Sequence, residues 1–378
     1  MFSRAHVRVC MEASMDNSII EKRVVCGADV FSGKDLIPQI LPRLRSVFEE
    51  GALCVVYENE YEDVATALCQ ELKRGGYRVF LTNAYQGKIQ DVPEYVRYVF
   101  AVGAHAAAEK AKEISASIDT GWSMLFCAPD SDDITCGKCP NQVFIDENIL
   151  IKCKNEQIAA GYGILLSQKF AEFERAFQKT VLGEKVKQFA VETSSCPLSE
   201  LAYRLIEISS RKQGKDTAER MAEVMSALAL SKGKTPRLTG EYRFLASAVL
   251  TSFYSAYLSS PSIDCAPPAC VFDSADKLQS LGIEVDRGEV VDFFDINGYF
   301  RIGYILGEYR LDLLEKLASI DLHGMQRFWR RLYIDAGYWL KSEITASEVL
   351  ECMRLASVES RSLAGYAFAS GMLDIAAS

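Results

Sequence analysis

The chain has 378 residues, of which 49% are hydrophobic and 25% charged, and 42 Lys and Arg stand against 51 Asp and Glu, a formal net charge of −9. This is the composition of a globular chain of about two domains, since a domain takes roughly 100–200 residues. The acidic excess repels phosphate backbones, so we expect no nucleic-acid partner. The weakly polar run at 244–258 is interrupted by serines and falls short of the ~20 apolar residues of a membrane span, so we expect no membrane partner either.

Cysteine, histidine and the N-terminal residues narrow the class further. The N-terminal residues carry charged side chains and no apolar signal-peptide core, which favours a cytoplasmic protein. Twelve cysteines are dispersed along the chain, which is not the pattern of a secreted disulfide scaffold. Histidine, the commonest metal ligand, occurs three times, as His6, His105 and His323.

The first 150 residues alternate between two periodicities. Helical stretches occupy 61–74 and 105–117. Short apolar runs occupy 52–57, 78–81, 98–102, 123–127 and 142–145. Strands that alternate with helices predict a parallel sheet with helices on both faces, and such sheets bind ligands at the carboxyl ends of their strands. We therefore predict a Rossmann-like α/β domain of nucleotide-binding type at 1–154.

After residue 155 the strand pattern gives way to long amphipathic segments. These segments lie at 158–180, 198–212, 217–230, 242–258, 292–317 and 346–355. Their apolar residues recur with helical spacing, and a Pro-rich loop at 259–268 separates two of them. We predict an all-helical domain at 155–378, with the ligand site in the cleft between the two domains.

Four sequence segments, in order, resemble the glycerol-1-phosphate dehydrogenases, within the larger group of glycerol dehydrogenase, iron-containing alcohol dehydrogenase and dehydroquinate synthase. The segments are VVYENEY at 55–61, VGAHAAAEK at 102–110, APDSDD at 128–133 and AAGYGILLSQK at 159–169. The resemblance implies a dehydroquinate synthase-like fold, NAD(P) on the N-terminal sheet, and one zinc or iron ion in the cleft that polarises the substrate while hydride is transferred.

The three metal-ligand positions that the resemblance implies all carry other residues. The family's Asp corresponds to Ile164, its first His to Tyr242 and its second to Asn297. His323, which also precedes a glycine, is the alternative for the second His. Isoleucine has no donor atom, and a phenol or an amide is a poor substitute for imidazole at these metals, so we expect no catalytic zinc or iron.

The cofactor positions implied by the resemblance are altered as well. The turn for the diphosphate keeps Gly103 but continues with Ala104 and His105, and each added Cβ narrows the approach of a phosphate. An ordinary helix start is the alternative interpretation of this turn. Glu58, at the end of a predicted strand, corresponds to the acid that binds ribose hydroxyls, which favours NAD over NADP, although an acid at a strand end is also common in proteins that bind no nucleotide.

Two further motifs carry potential chemistry. In the loop at 128–133, Asp130 takes the place of a hydroxyl at the nicotinamide, and Asp133 corresponds to a substrate-binding acid; a solvated acidic turn is the alternative. Cys136 and Cys139 form a Cys-x-x-Cys pair, which suits a separate thiol site for metal or redox chemistry, with a purely structural role as the alternative.

Two functions follow from these observations. The first is a glycerol-1-phosphate dehydrogenase-like pseudoenzyme that has lost its metal ligands and binds a nucleotide, another small molecule, a second copy of itself or another protein. The second is an active NAD(P)-dependent oxidoreductase on a small polyol, polyol phosphate or ketone, in which Tyr242 replaces the metal as general acid.

Overall fold

The computed structural model describes residues 10–13, 19–131, 134, 137–186, 192–193, 196–211, 215–260, 271–285, 296–332, 344–358 and 361–369. The chain divides into two compact units. Unit 1 comprises Met1–Gly161 and Ser194–Lys212, and unit 2 comprises Tyr162–Thr193 and Gln213–Ser378. In this division the segment Ser194–Lys212 belongs to unit 1, and the domain boundary at residue 154 stays a prediction.

Unit 1 is built on an eight-stranded sheet. Its strands are β1 (Cys10–Ala13), β2 (Ile19–Val25), β3 (Ala28–Gly33), β4 (Ala52–Tyr57), β5 (Arg78–Asn83), β6 (Val96–Gly103), β7 (Trp122–Phe126) and β8 (Gln142–Asp146). The order in the sheet is β1-β2-β3-β8-β7-β6-β4-β5. Strands β4 to β8, which correspond to the five predicted runs, pair in parallel as predicted. Strand β3 joins β8 in parallel, and β1 and β2 add an antiparallel extension; the sequence patterns did not predict these three strands.

Helices cover both faces of this sheet. The helices of unit 1 are α1 (Ile37–Leu44), α2 (Glu62–Arg74), α3 (His105–Ser117), α4 (Glu147–Leu150) and α6 (Leu198–Arg211). One apolar cluster joins a face of the sheet to α1 and α2, and a second joins the other face to α3 and α6. Strands β4, β6 and β7 are almost completely buried because both of their faces are covered. The predicted α/β architecture is confirmed.

Every secondary-structure element that the structure describes in unit 2 is a helix. Helix α5 (Asn155–Thr180) enters it from unit 1. The other helices are α7 (Thr217–Ser231), α8 (Thr239–Ser259), α9 (Val271–Ser280), α10 (Ile296–Ala318), α11 (Leu322–Leu332), α12 (Ala346–Ala356) and α13 (Leu363–Ala369). Helix α8 is the central element, since it packs against α7, α10 and α13. Among the described residues, no helix is long and apolar enough to cross a lipid bilayer.

A candidate nucleotide-type site at the strand ends

Three of the predicted site residues lie at the carboxyl ends of neighbouring strands in unit 1. Glu58 directly follows β4, Gly103 is the last residue of β6, and Asp130 lies in the loop after β7. Strand β6 pairs in parallel with both β4 and β7, so these ends meet at one edge of the sheet. This is the edge at which parallel sheets bind ligands.

Glu58 makes a contact that the sequence analysis did not predict. Its side-chain oxygen Oε1 accepts hydrogen bonds from the backbone N–H groups of Ala104, at 3.0 Å, and Ala107, at 2.8 Å. These are the first and last of the four N–H groups at the start of α3 that have no partner within the helix, since the N–H of Ala108 already bonds to Ala104. The carboxylate of Glu58 is thus the anion at this helix N-terminus.

Gly103 accommodates that carboxylate. A Cβ atom at position 103 would lie 2.8 Å from Cδ of Glu58, closer than real Cβ contacts, and 3.0 Å from Cβ of Ala107, which is tight. The φ angle of Gly103 is +148°, a conformation that side chains disfavour. Gly103 therefore allows the close approach of the Glu58 side chain to the start of α3.

Burial affects the charge of Glu58. The side chain is 6% exposed, and this burial raises its pKa, while the N–H groups of Ala107 and Ala104 act in the opposite direction by stabilising the charged form. A buried carboxylate that accepts two backbone N–H bonds is held in one position. A diphosphate at the same turn would compete with it for those donors and would meet its negative charge.

Asp130 adds a second carboxyl group to the site. Burial first, and the charge of Glu58 second, raise the pKa of Asp130 to about 7. Its Oδ2 lies 3.5 Å from the amide nitrogen of Gln157, and among the described residues Oδ1 has no hydrogen-bond partner. A carboxyl group in this environment favours its neutral form, and when it is ionised it repels a phosphate. The solvated turn considered from the sequence does not fully describe Asp130, because the residue is half-buried and its Oδ1 is covered.

The remaining residues of the predicted turn have ordinary positions. Ala104 is 1% exposed, and it immediately precedes α3. His105 is the first residue of α3 and is exposed; its Nδ1 lies 3.3 Å from the hydroxyl oxygen of Ser131, so it connects the start of α3 to the loop after β7. Asp133, the predicted substrate ligand, lies outside the described residues.

Two of the three positions at which the resemblance implies metal ligands lack a suitable donor. Ile164 is 1% exposed and offers only hydrocarbon. Tyr242 is fully buried, and its hydroxyl accepts the N–H of Arg237 at 3.4 Å. The side chain of Asn297 lies outside what the structure describes. Where side chains are described, no group of three or more His, Cys, Asp or Glu residues is arranged to hold a metal. The donors present at 164 and 242 are therefore unsuitable for zinc or iron.

The thiols nearest to the Cys-x-x-Cys motif have structural contacts. Cys136 lies outside the described residues, and Cys139 is exposed. The thiol of Cys153 donates to the backbone oxygen of Cys127 at 3.0 Å. Burial raises the pKa of both Cys127 and Cys153, which disfavours the thiolate that redox or metal chemistry requires.

Two residues that the sequence analysis did not single out complete the site. The amide nitrogen of Gln157, on α5, lies 3.1 Å from the hydroxyl of Tyr61, and so connects α5 to the loop after β4. Gly161 packs directly on the backbone oxygen of Pro129, which a Cβ atom would approach to 2.0 Å. The Ala-Gly-Tyr-Gly motif at 160–163 was the available signal, and its first glycine serves this close packing within unit 1.

The comparisons with known proteins agree with this architecture. No family model matches the sequence, and no curated protein matches it. Among solved structures, the chain is similar to maleylacetate reductase from Agrobacterium tumefaciens, with 13% identity over 93% of this chain and 96% of that chain and a TM-score of 0.55. It is also similar to an archaeal halo-thermophilic alcohol dehydrogenase from a Red Sea brine pool, with 11% identity over 98% and 96% and a TM-score of 0.50. The chain has a dehydroquinate synthase-like fold.

A glycerol dehydrogenase from Schizosaccharomyces pombe is similar over 81% of this chain and 92% of that chain, with 12% identity and a TM-score of 0.46. At these identities the likeness concerns the fold alone. The likeness to the two structures with TM-scores of 0.55 and 0.50 confirms the predicted dehydroquinate synthase-like fold, and the roles of individual residues within it depend on the contacts described above.

Proposed function

We propose that this chain is a non-catalytic protein with a dehydrogenase-type fold, which acts by assembling with another polypeptide and not by NAD(P)-dependent hydride transfer. The observation that carries the proposal is the carboxylate of Glu58 on the N–H groups of Ala104 and Ala107. In a dinucleotide-binding sheet, backbone N–H groups at this turn hold the diphosphate. Because the carboxylate of Glu58 belongs to the same chain, it competes with a diphosphate for these N–H groups at every nucleotide concentration.

The residues at the metal positions support the same conclusion. Ile164 has no donor atom, and the hydroxyl of buried Tyr242 accepts a backbone N–H. A metal Lewis acid supplies several kcal/mol of transition-state stabilisation, and each ~1.4 kcal/mol is tenfold in rate. We therefore expect hydride transfer with glycerol 1-phosphate or dihydroxyacetone phosphate to be undetectable or very slow.

The charge at the strand ends disfavours phosphorylated ligands. Glu58 and Asp130 are close enough for the charge of the first to raise the pKa of the second. A phosphate brought to this edge would meet like charge in a partly desolvated site. A cytoplasmic location, the assignment to the glycerol-1-phosphate branch of the family and the role of the Cys136–Cys139 pair remain predictions from the sequence.

The alternative function is an NAD(P)-dependent oxidoreductase acting on a small polyol, polyol phosphate or ketone. The position of the turn favours it, because Gly103 ends β6 and α3 begins at His105, the junction at which parallel sheets bind dinucleotides. For this function Glu58 has to leave the two N–H groups when the cofactor binds. The similarity to solved reductase and dehydrogenase structures supports the fold that this alternative needs.

A nucleotide titration distinguishes the two functions. Thermal shift of the wild-type chain is recorded with NAD, NADH, NADP and NADPH, with and without zinc, alongside the variants Glu58→Ala and Glu62→Ala. Glu62 is an exposed residue at the start of α2 and serves as the matched control. We expect no shift for the wild type and Glu62→Ala, and a nucleotide-dependent shift for Glu58→Ala, because its helix N-terminus is free for an anion.

Enzymatic turnover by the wild-type chain would contradict the proposal most directly. If the wild-type chain oxidises a polyol or reduces a ketone at roughly 1 s⁻¹ or faster, within the usual range of enzymes, the proposal is wrong and the alternative holds. In that case Tyr242 is the first residue to substitute, because it stands at a ligand position of the family. Stoichiometric zinc or iron that disappears on changing Asn297 or His323 would contradict the metal part of the proposal.

A further inference from the structure

Unit 2 contains a cavity of about 330 Å³ that is lined by residues of helices α7, α9 and α12 and of the segments beside them. Helix α12 packs against both α7 and α9, and this packing positions the walls of the cavity. Ion pairs of Lys232 with Glu348 and of Lys277 with Glu351 connect α12 to the same two helices. Small-molecule sites have volumes of about 300–1,000 Å³, so this cavity fits a ligand much smaller than a dinucleotide.

The buried part of the cavity lining is apolar. It consists of Val224, Leu278, Leu355 and Ala356, each of which is at most 3% exposed. A lining of this kind favours an aliphatic group, because a polar group would lose its hydrogen bonds to water there.

The end of α9 places a carboxylate beside this apolar lining. The N–H of Ile283 donates to the backbone oxygen of Leu278 at 3.1 Å, and the intervening Gly282 has a φ of +78°. This is the usual glycine-dependent end of an α-helix. It fixes the direction of the chain after α9, so that Ile283 and Glu284 both line the cavity.

The charges around the cavity are separated into two sides. Lys215, just before α7, and Arg220, in the first half of α7, form the positive side. Glu284 lies on the negative side, where α9 and α12 also end, and the C-terminal end of a helix carries a partial negative charge. Glu223 pairs with Lys215 at 2.5 Å and compensates its charge. The guanidinium of Arg220 has several N–H donors, so it can bind a ligand carboxylate in addition to a partner in the chain.

We propose that this cavity binds an aliphatic α-amino acid of about the size of leucine. Arg220 binds its carboxylate, Glu284 and the helix ends bind its ammonium group, and its side chain packs on the apolar lining. A phosphate would match only the positive side and would meet the like charges of Glu223 and Glu284. The inference goes beyond the proposed function and does not depend on it, since all of the lining residues lie in unit 2.

Isothermal titration calorimetry of the full chain tests the proposal with three matched probes. L-Leucine carries both charged groups, 4-methylpentanoate lacks the ammonium group, and 3-methylbutylamine lacks the carboxylate. We expect leucine to bind with a Kd of about 1 mM or lower and at least about tenfold more tightly than either analogue. L-Glutamate is expected not to bind, because its second carboxylate would enter the apolar lining.

Two substitutions separate the two sides of the cavity. Glu284→Gln is expected to weaken leucine binding by about tenfold and to leave 4-methylpentanoate binding unchanged, because that analogue has no ammonium group. Arg220→Gln is expected to weaken the binding of both leucine and 4-methylpentanoate. Glu308→Gln, which removes an exposed carboxylate from α10, is the matched control and is expected to leave leucine binding unchanged. Melting temperatures check that each variant folds, and the exposed position of Glu284 makes its variant decisive if Arg220→Gln does not fold.

Three results would each overturn the proposal. The first is the absence of heat from leucine at about 10 mM, well above the expected Kd. The second is equal affinity for leucine and its two analogues, which would mean that the charges of the cavity do not recognise the ligand. The third is an unchanged affinity for leucine in Glu284→Gln.

Discussion

Two buried glutamates, one in each unit, stabilise a helix start in different ways. Glu58 of unit 1 is 6% exposed, and a single oxygen, Oε1, accepts both N–H bonds at the start of α3. Glu174 of unit 2 is 2% exposed and uses both oxygens: Oε1 accepts the hydroxyl of Tyr254 at 2.6 Å, and Oε2 accepts the N–H of Thr217, the first residue of α7, at 2.8 Å.

The surroundings explain why the two contacts have different consequences. Glu174 lies among packed helices, where Tyr254 in turn accepts the N–H of Ala364 and so connects α5, α7, α8 and α13. Glu58 lies at the sheet edge where loops and a helix start converge, a place where related folds bind ligands. The same chemical contact supports the helical core in unit 2 and occupies a ligand position in unit 1.

The largest effect is expected from Glu174→Ala. The substitution leaves the buried hydroxyl of Tyr254 and the N–H of Thr217 without their acceptor and creates a cavity, which costs about 3–5 kcal/mol in the free energy of unfolding. Glu172→Ala, two residues away on the same helix, removes a partly exposed ion pair with Lys169 and is expected to cost less than about 1 kcal/mol. Urea denaturation measures both. If the two variants lost the same free energy of unfolding, the special contribution of the buried Glu174 carboxylate would be contradicted.

Gly103→Ala tests the contact at Glu58. We expect a loss of about 2–3 kcal/mol, because a side chain is both disfavoured at φ +148° and too close to Glu58. Gly76→Ala isolates the backbone part, since Gly76 has φ +93° and open space around a Cβ, and it is expected to cost about 1–2 kcal/mol. In a Glu58→Ala background the part of the cost that comes from the contact with Glu58 should disappear, whereas the close approach to Cβ of Ala107 remains. Additive costs in that double-mutant cycle would mean that Gly103 and Glu58 do not interact.

A smaller, pH-dependent effect is expected at Asp130. Its pKa is raised to about 7 in the folded chain, above the usual value of an aspartate. The unfolded chain therefore loses this proton at lower pH, and the stability that the protonated group contributes is fully present below about pH 4 and is lost as pH rises to about 7. Asp130→Asn should raise the melting temperature more at about pH 8 than at about pH 5. The corresponding difference in the free energy of unfolding between the two pH values is about 1–3 kcal/mol. Asp91→Asn, at an exposed position, is the control; an Asp130→Asn effect that is the same at both pH values would contradict the prediction.

Much of the α/β architecture could be predicted because the parallel strands are self-contained apolar runs. The run at 52–57 coincides with β4, and the helical stretch at 105–117 coincides with α3, since both are defined by their own residues. Strand β2, with the sequence IIEKRVV, mixes charged and apolar residues, and its structure depends on pairing with β3. Helix α6 was predicted as a helix, but its packing on the sheet depends on tertiary contacts that periodicity does not encode.

At the candidate site the sequence predicted the positions and not the contact. Glu58 and Gly103 both fall at strand ends, which periodicity and the family resemblance located correctly. Their closeness follows from β4 and β6 being neighbours in the sheet, although 46 residues separate Glu58 from Ala104. The available signal is an acid directly after one strand and a glycine at the end of another. Once the two strands are known to be neighbours in the sheet, this signal predicts a carboxylate at the start of the helix that follows the glycine.

The account depends on Glu58 being the anion at the start of α3. Amide resonances of Ala104 and Ala107, observed in protein carrying isotope-labelled alanine, report on those two N–H groups directly. On addition of NADH to the wild-type chain, we expect both resonances to stay unchanged, and we expect them to shift on addition of NADH to Glu58→Ala. A shift of both resonances in the wild type would show that a nucleotide displaces Glu58 and would contradict the account.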